Sequence, residues 1–144
     1  MKPPKVKERN LLRLFDSINK THFGGMVCGG IGWRHMSISG KSGVTLAVCE
    51  LTERFIRVNT VLQDVAIPVW FLRFVIYHEM LHLLLGPQQF TREGKSDPHS
   101  DRFTCLEMKH ADYQRAIDYE EEALFKVVDR WRAWRRYSRK CPKT

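Results

Sequence analysis

Two histidines stand four positions apart in the stretch VIYHEMLHLLLG, with a glutamate directly after the first: His78-Glu79-Met80-Leu81-His82. On a helix such histidines lie about 40° apart around the axis and about 6 Å apart along it, so both imidazoles reach one metal ion. Glu79 is turned about 100° from His78, off the ligand axis yet close enough to hold a water on the metal. Zinc lowers the pKa of such a water to around 7, and a carboxylate takes its proton as it attacks a carbonyl. Phe71, Phe74, Val75 and Leu85 share the histidine face. Polar rings on an apolar face need partners, and a metal is one. The competing reading is a pair of satisfied core histidines.

Zinc hydrolases take a third protein ligand and leave one position open. His99, seventeen residues after His82, is the expected third ligand, placed by Asp97-Pro98 in the first turn of a new helix. There the helix dipole disfavours imidazolium and leaves a neutral nitrogen for the metal. The longer pattern H-E-x-x-H-x-x-G-x-x-H is absent, because Leu85 and Gln88 occupy its Gly and His places. Glu107 is the alternative ligand, as in zincins that draw a glutamate from a later helix. His110 reads as a helix-end residue, and His22 and His35 as surface or core residues.

The second chemical signal is charge. The chain has 24 Lys+Arg against 16 Asp+Glu, net +8, and the excess sits at the two ends. Residues 126–144 alternate Trp131, Trp134 and Tyr137 with Arg130, Arg132, Arg135, Arg136, Arg139 and Lys140. Cations on phosphate and rings on unpaired bases would make a nucleic-acid grip, with Arg132, Arg135, Arg136, Arg139 and Lys140 as the contacts. The plain alternative is a solvated helix end whose tryptophans belong to the core. The acidic run Asp118–Glu122 reads as a solvated face.

Elements that could position these residues follow from periodicity. Leu11, Leu12, Phe15 and Ile18 predict an amphipathic helix from about Lys5 to Thr21, closed by Gly24-Gly25. Met26–His35, Gly43–Glu50 and Arg54–Asn59 read as three short strands, with a turn at 39–43 between the first two. Pro68–Leu85 reads as one helix, apolar almost all round and therefore central, stopped by Gly86-Pro87. A last helix is expected from Asp112 to Tyr137. With 144 residues, 43% of them hydrophobic, the chain can build one packed core. It has no apolar run long enough to cross a membrane and no signal-like start. Its four cysteines, without a C-x-x-C pair, are expected to be buried thiols, not a disulfide framework or a cysteine zinc knuckle. A cytoplasmic protein is expected, nuclear if the source is eukaryotic, with no membrane partner.

LFDSINKTHFGG, RFIRVNTVL, VIYHEMLHLLLG and REGKSDPHSDRF together resemble the SprT-like zinc metalloproteases, which include the DNA–protein crosslink protease Spartan. The resemblance implies an α+β, zincin-like domain: an N-terminal helix, a three-stranded sheet, the H-E-x-x-H helix and C-terminal helices. It implies Zn²⁺ on His78, His82 and His99, Glu79 as catalytic base, and an endopeptidase acting on protein or peptide, with DNA-bound or DNA-crosslinked proteins as a substrate class. Many members continue into a cysteine zinc ribbon. Cys141-Pro142 resembles only its opening, so a second zinc is not expected from these residues. The domain is drawn at 1–125, with a basic helix end and tail at 126–144. Two other readings stay open: a zinc-stabilised nucleic-acid-binding module without catalysis, and a YgjP-like metallopeptidase without a nucleic-acid role. An extended substrate is expected along Met26–Cys28 or Gly43–Glu50, held by main-chain hydrogen bonds.

Overall fold

The structure, a computed structural model, describes residues 1–38, 43–87 and 99–140. Most of the 39–43 turn and of the 87–96 loop, with Asp97-Pro98 and Cys141, lie outside the described residues.

The chain does not enter its first helix at Lys5. Residues 5–7 run extended along 63–65, with Lys7 N–H donating to Gln63 O (2.8 Å) and Val65 N–H to Lys5 O (3.0 Å). The Arg9 guanidinium donates to the carbonyls of Leu62, Asp64 and Ile67. Helix α1 (Leu11–His22) begins where Asn10 caps it, its Oδ1 accepting from Arg13 N–H. Leu11, Phe15 and Ile18 form its buried stripe.

Three strands follow: β1 (Gly30–Arg34), β2 (Ala47–Glu50) and β3 (Phe55–Asn59). Their order is β1-β3-β2, with β1 parallel and β2 antiparallel to β3. The expected first two strands are therefore not partners, because β3 inserts between them. The glycines that weaken β1 as a sequence signal are required by close approach. A Cβ on Gly30 would lie 2.6 Å from the Phe55 ring, and one on Gly29 would lie 2.7 Å from Arg54 O. Met26–Cys28 lies outside the sheet, clamped instead by Asn19, whose amide donates to Val27 O and whose Oδ1 accepts from Val27 N–H.

Helix α2 (Val69–Leu85) is capped by Pro68 and ends at Gly86, which takes φ of 76°. It packs on α1, β2, β3 and the later helices α3 (Asp101–Met108) and α4 (Tyr113–Tyr119). That explains a sequence apolar on every side. Arg54 ties its C-terminal end to the loop before β1, donating to Cys28 O (2.9 Å) and Leu83 O (3.3 Å).

The expected last helix is interrupted once. After α4 comes a single π turn, Glu120–Leu124, and then α5 (Phe125–Lys140). A π turn takes up an extra residue. It keeps buried Ala116 and Leu124 on one face, whereas an uninterrupted α-helix would rotate them about 80° apart. Val127, Val128 and Trp131 continue the stripe into the common core, so residues 125–131 pack as part of the same body. The result is an α+β fold with a three-stranded mixed sheet. Cys28 and Cys105 are exposed and Cys49 half-buried, contrary to the expectation of buried thiols. Cys28 sits in the loop before β1, and Cys105 is carried on a part of α3 that faces solvent. No described helix is long and apolar enough to cross a membrane.

Asp64 joins the two ends of this body. It is 2% exposed, accepts from Trp131 Nε1–H at 2.8 Å and from Ala66 N–H at 2.8 Å, and faces Arg130 at 3.7 Å. Removing it strands the buried indole N–H. Asp64→Ala, which strands the indole N–H, and Trp131→Phe, which leaves the buried carboxylate without that donor, are each expected to cost about 2–4 kcal/mol in urea unfolding.

Candidate metal centre

Helices α2 and α3 each contribute a ladder of residues four apart, and the two ladders face one another. His78 and His82 come from α2. Phe103 and Glu107 come from one face of α3, and His99 from just before its start. His99 is not in the first turn of that helix. Ser100 is the N-cap, its Oγ accepting from Phe103 N–H, so His99 stands one residue before the cap. The helix-dipole argument for its neutral ring therefore does not apply.

The three imidazoles converge, with ring centroids 4.9–5.2 Å apart and one candidate ligand atom from each lying within 4.8 Å of the others. His82 Nε2 and His99 Nε2 are 3.1 Å apart. Tetrahedral zinc with bonds of about 2.0–2.1 Å holds neighbouring ligand atoms about 3.3 Å apart, so this spacing suits such an ion. The Phe103 ring packs 4.6–4.9 Å from all three histidine rings and walls the cluster from one side.

Glu107, the alternative ligand, falls outside this set. Its carboxylate is hydrogen-bonded to His78 Nδ1 instead, leaving His78 Nε2 as the nitrogen for a metal. A carboxylate behind a ligating imidazole fixes its tautomer and raises its basicity. Burial works against a charged His78, but the hydrogen bond and charge of Glu107 outweigh it, and its pKa lies above the usual histidine value. Burial, with His78 and His99 beside it, brings His82 down to about 4, so its ring is neutral at pH 7 and suited to ligation. Tyr77 OH donates to Leu106 O at 3.0 Å and fastens α3 to α2 beside the cluster.

Glu79 is 7% exposed and opens onto a cavity of about 270 Å³ bounded by Val44–Ala47, Phe74, Val75 and His78. Burial pushes its carboxyl up to about 7; His78 opposes the rise and Glu107 adds to it. A dication on the histidines would act in the lowering direction. Glu120 lines the same cavity, turned there by the π turn. Of the acidic run read as solvated, all three glutamates are exposed, and Glu120 is the one that also lines the cavity beside His78 and Glu79. Periodicity missed it because one added residue changes the face a helix presents.

The remaining histidines stand apart. His22 and His110 stack at 4.9 Å within a group that includes Phe23, Phe74 and Tyr77. His35 lies against Arg135 on the opposite helix.

The five tail cations are not equivalent. Arg132 Nε donates to Ile38 O, and Arg135 donates to Met36 O at 3.0 Å. Arg136, Arg139 and Lys140 are exposed.

Comparison with protein-family models gave no match, and comparison with curated proteins gave none either.

Loss of a ligand and loss of its orienting partner should differ in degree. His99→Ala is expected to abolish stoichiometric metal retention, whereas Glu107→Gln should weaken affinity about 10–100-fold. Elemental analysis and chelator competition on purified variants read both. Glu107→Gln emptying the site while His99→Ala retains its metal would reverse the assignment.

Proposed function

We propose that this protein is a zinc-dependent endopeptidase of zincin-like architecture, related to the SprT-like metalloproteases. The observation that carries the reading is the convergence of His78, His82 and His99 beside a buried glutamate that follows the first of them. A purely structural metal site has no use for a carboxylate at that place.

In this reading the three histidines hold the ion, and Glu107 keeps the His78 ring turned toward it. A zinc ion held there supplies Lewis acidity, which polarises a peptide carbonyl and acidifies a water. Glu79 accepts the proton of the attacking water and returns it to the departing amine. Its low exposure keeps bulk water from competing for that proton. The substrate strand lies along the outer edge of β2, which pairs with β3 on one side only within the described sheet. Val44–Ala47, leading into that edge, also bound the Glu79 cavity. Main-chain hydrogen bonds along an edge read little side-chain identity, so broad specificity follows.

Glu79→Gln keeps the shape of the site and removes the base. It should retain one zinc per chain while casein cleavage falls about 100-fold or more. A variant that cuts as well as the parent would remove Glu79 from the mechanism. A parent that binds zinc but cleaves no unfolded protein would leave a metal-stabilised module.

A further inference from the structure

A second cavity lies away from the histidines. About 750 Å³ opens between α5 and the segment that follows β1, with His35, Ser37 and Ile38 on one wall and Trp131, Trp134 and four arginines on the other. Arg132, Arg135, Arg136 and Arg139 recur at i, i+3, i+4 and i+7, which puts them on one side of α5 over about 10 Å of its length. Lys140, next in sequence, does not line the cavity.

Two of these guanidiniums are fixed in place. Arg132 is held by Ile38 O and by Asp129 at 3.2 Å, and Arg135 by Met36 O and by His35 Nδ1 at 3.3 Å. The backbone carbonyls orient these side chains without cancelling their charge. Among the described residues no carboxylate pairs with Arg135, Arg136 or Arg139. Burial and the neighbouring Arg139 charge pull Arg135 below the usual guanidinium range. Cations gathered this way repel one another until an anion lies between them.

The aromatic wall adds a second kind of contact. Trp131 is already engaged, its N–H with Asp64 and its ring with Arg135. Trp134, half-buried and edge-on to Trp131 at 6.3 Å, is the ring left to meet a ligand. The arginine row is long enough for successive phosphates rather than one, and a planar base has a ring to stack on.

We propose that this cavity binds single-stranded nucleic acid, with phosphates on the arginine row and a base against Trp134. The site is separate from the histidine cluster, and the proposal does not rest on the peptidase reading. It also differs from a diffusely basic helix end, because His35, Ser37 and Ile38 supply a second wall.

The test is fluorescence anisotropy of labelled dT10 against the full chain across a salt series, with folding of each variant checked by thermal melt. The parent should bind saturably. Arg136→Ser with Arg139→Ser touches two exposed side chains, so folding should hold. It should weaken binding about tenfold and reduce the log–log salt slope by roughly 0.7 for each phosphate no longer neutralised. Lys140→Ser should change affinity less than about twofold. Trp134→Leu should weaken dT10 about tenfold with the slope unchanged. Should it fail to fold, dT10 made abasic throughout replaces it and should bind correspondingly less well. Inorganic phosphate should compete only at concentrations far above dT10. The proposal is overturned if dT10 does not saturate, or if Lys140→Ser costs as much as the arginine pair. Equal binding of abasic and intact strands, or competition by phosphate at dT10 concentrations, overturns it as well. Repeating the titration in Glu79→Gln separates this result from any outcome at the histidines.

Discussion

Everything at the histidine cluster depends on how α3 lies against α2. Each helix offers residues four apart, and a ladder of that spacing keeps one face only if its helix stays straight and fixed in rotation. His78 and His82 meet His99, Phe103 and Glu107 across that contact. One side of a short helix thus carries the ring that covers the cluster and the carboxylate that orients His78, and the residue just before its cap is a candidate ligand. A rotation of α3 by one residue would swing all three away together. Ser100 sets the start of the helix, and the Tyr77–Leu106 hydrogen bond sets its height on α2.

The rest of the body holds α2 still. Most of what it packs against is apolar, which fixes depth more than rotation. Polar groups at its ends supply the missing direction. Arg54 ties the C-terminal end to the loop before β1, and Gly86 closes the helix through His82 O. Beyond the N-terminal end, Asp64 and the Arg9 guanidinium gather the chain around residues 62–67. Of these charged groups Asp64 is the buried one, and it lies among hydrogen-bond partners, the condition under which burial of charge is tolerable.

Charge divides between two regions of the molecule. The cavity beside the histidines holds Glu79 and Glu120, while the arginine-lined cavity joins α5 to residues 35–38. An acidic cleft and a basic groove on one small body can engage different parts of a composite ligand, and that is how the two proposals fit together.

The pair His78 and His82, with Glu79 between them, was legible in the sequence because helical spacing alone places all three. Three strands and a central buried helix were legible from apolar runs bounded by glycine and proline. The role of Glu107 was not. It stood as a rival ligand, and only the packing of α3 on α2 put its carboxylate behind His78 rather than beside the other histidines. His99 was expected beside the pair and does lie there, but its supposed helical position gave way to Ser100, a better cap. Strand order also escaped, since adjacency in sequence suggests a hairpin and nothing local says that β3 slides between β1 and β2. The π turn was hidden because a periodicity argument assumes one constant angle per residue, and a single extra residue redirects Glu120. Composition marked the basic end of α5, but whether its arginines formed a solvated face or one wall of a groove depended on residues 35–38, about a hundred positions away in the chain. Local spacing fixes what a residue can do with its near neighbours; which distant residues it meets is decided only when the elements pack.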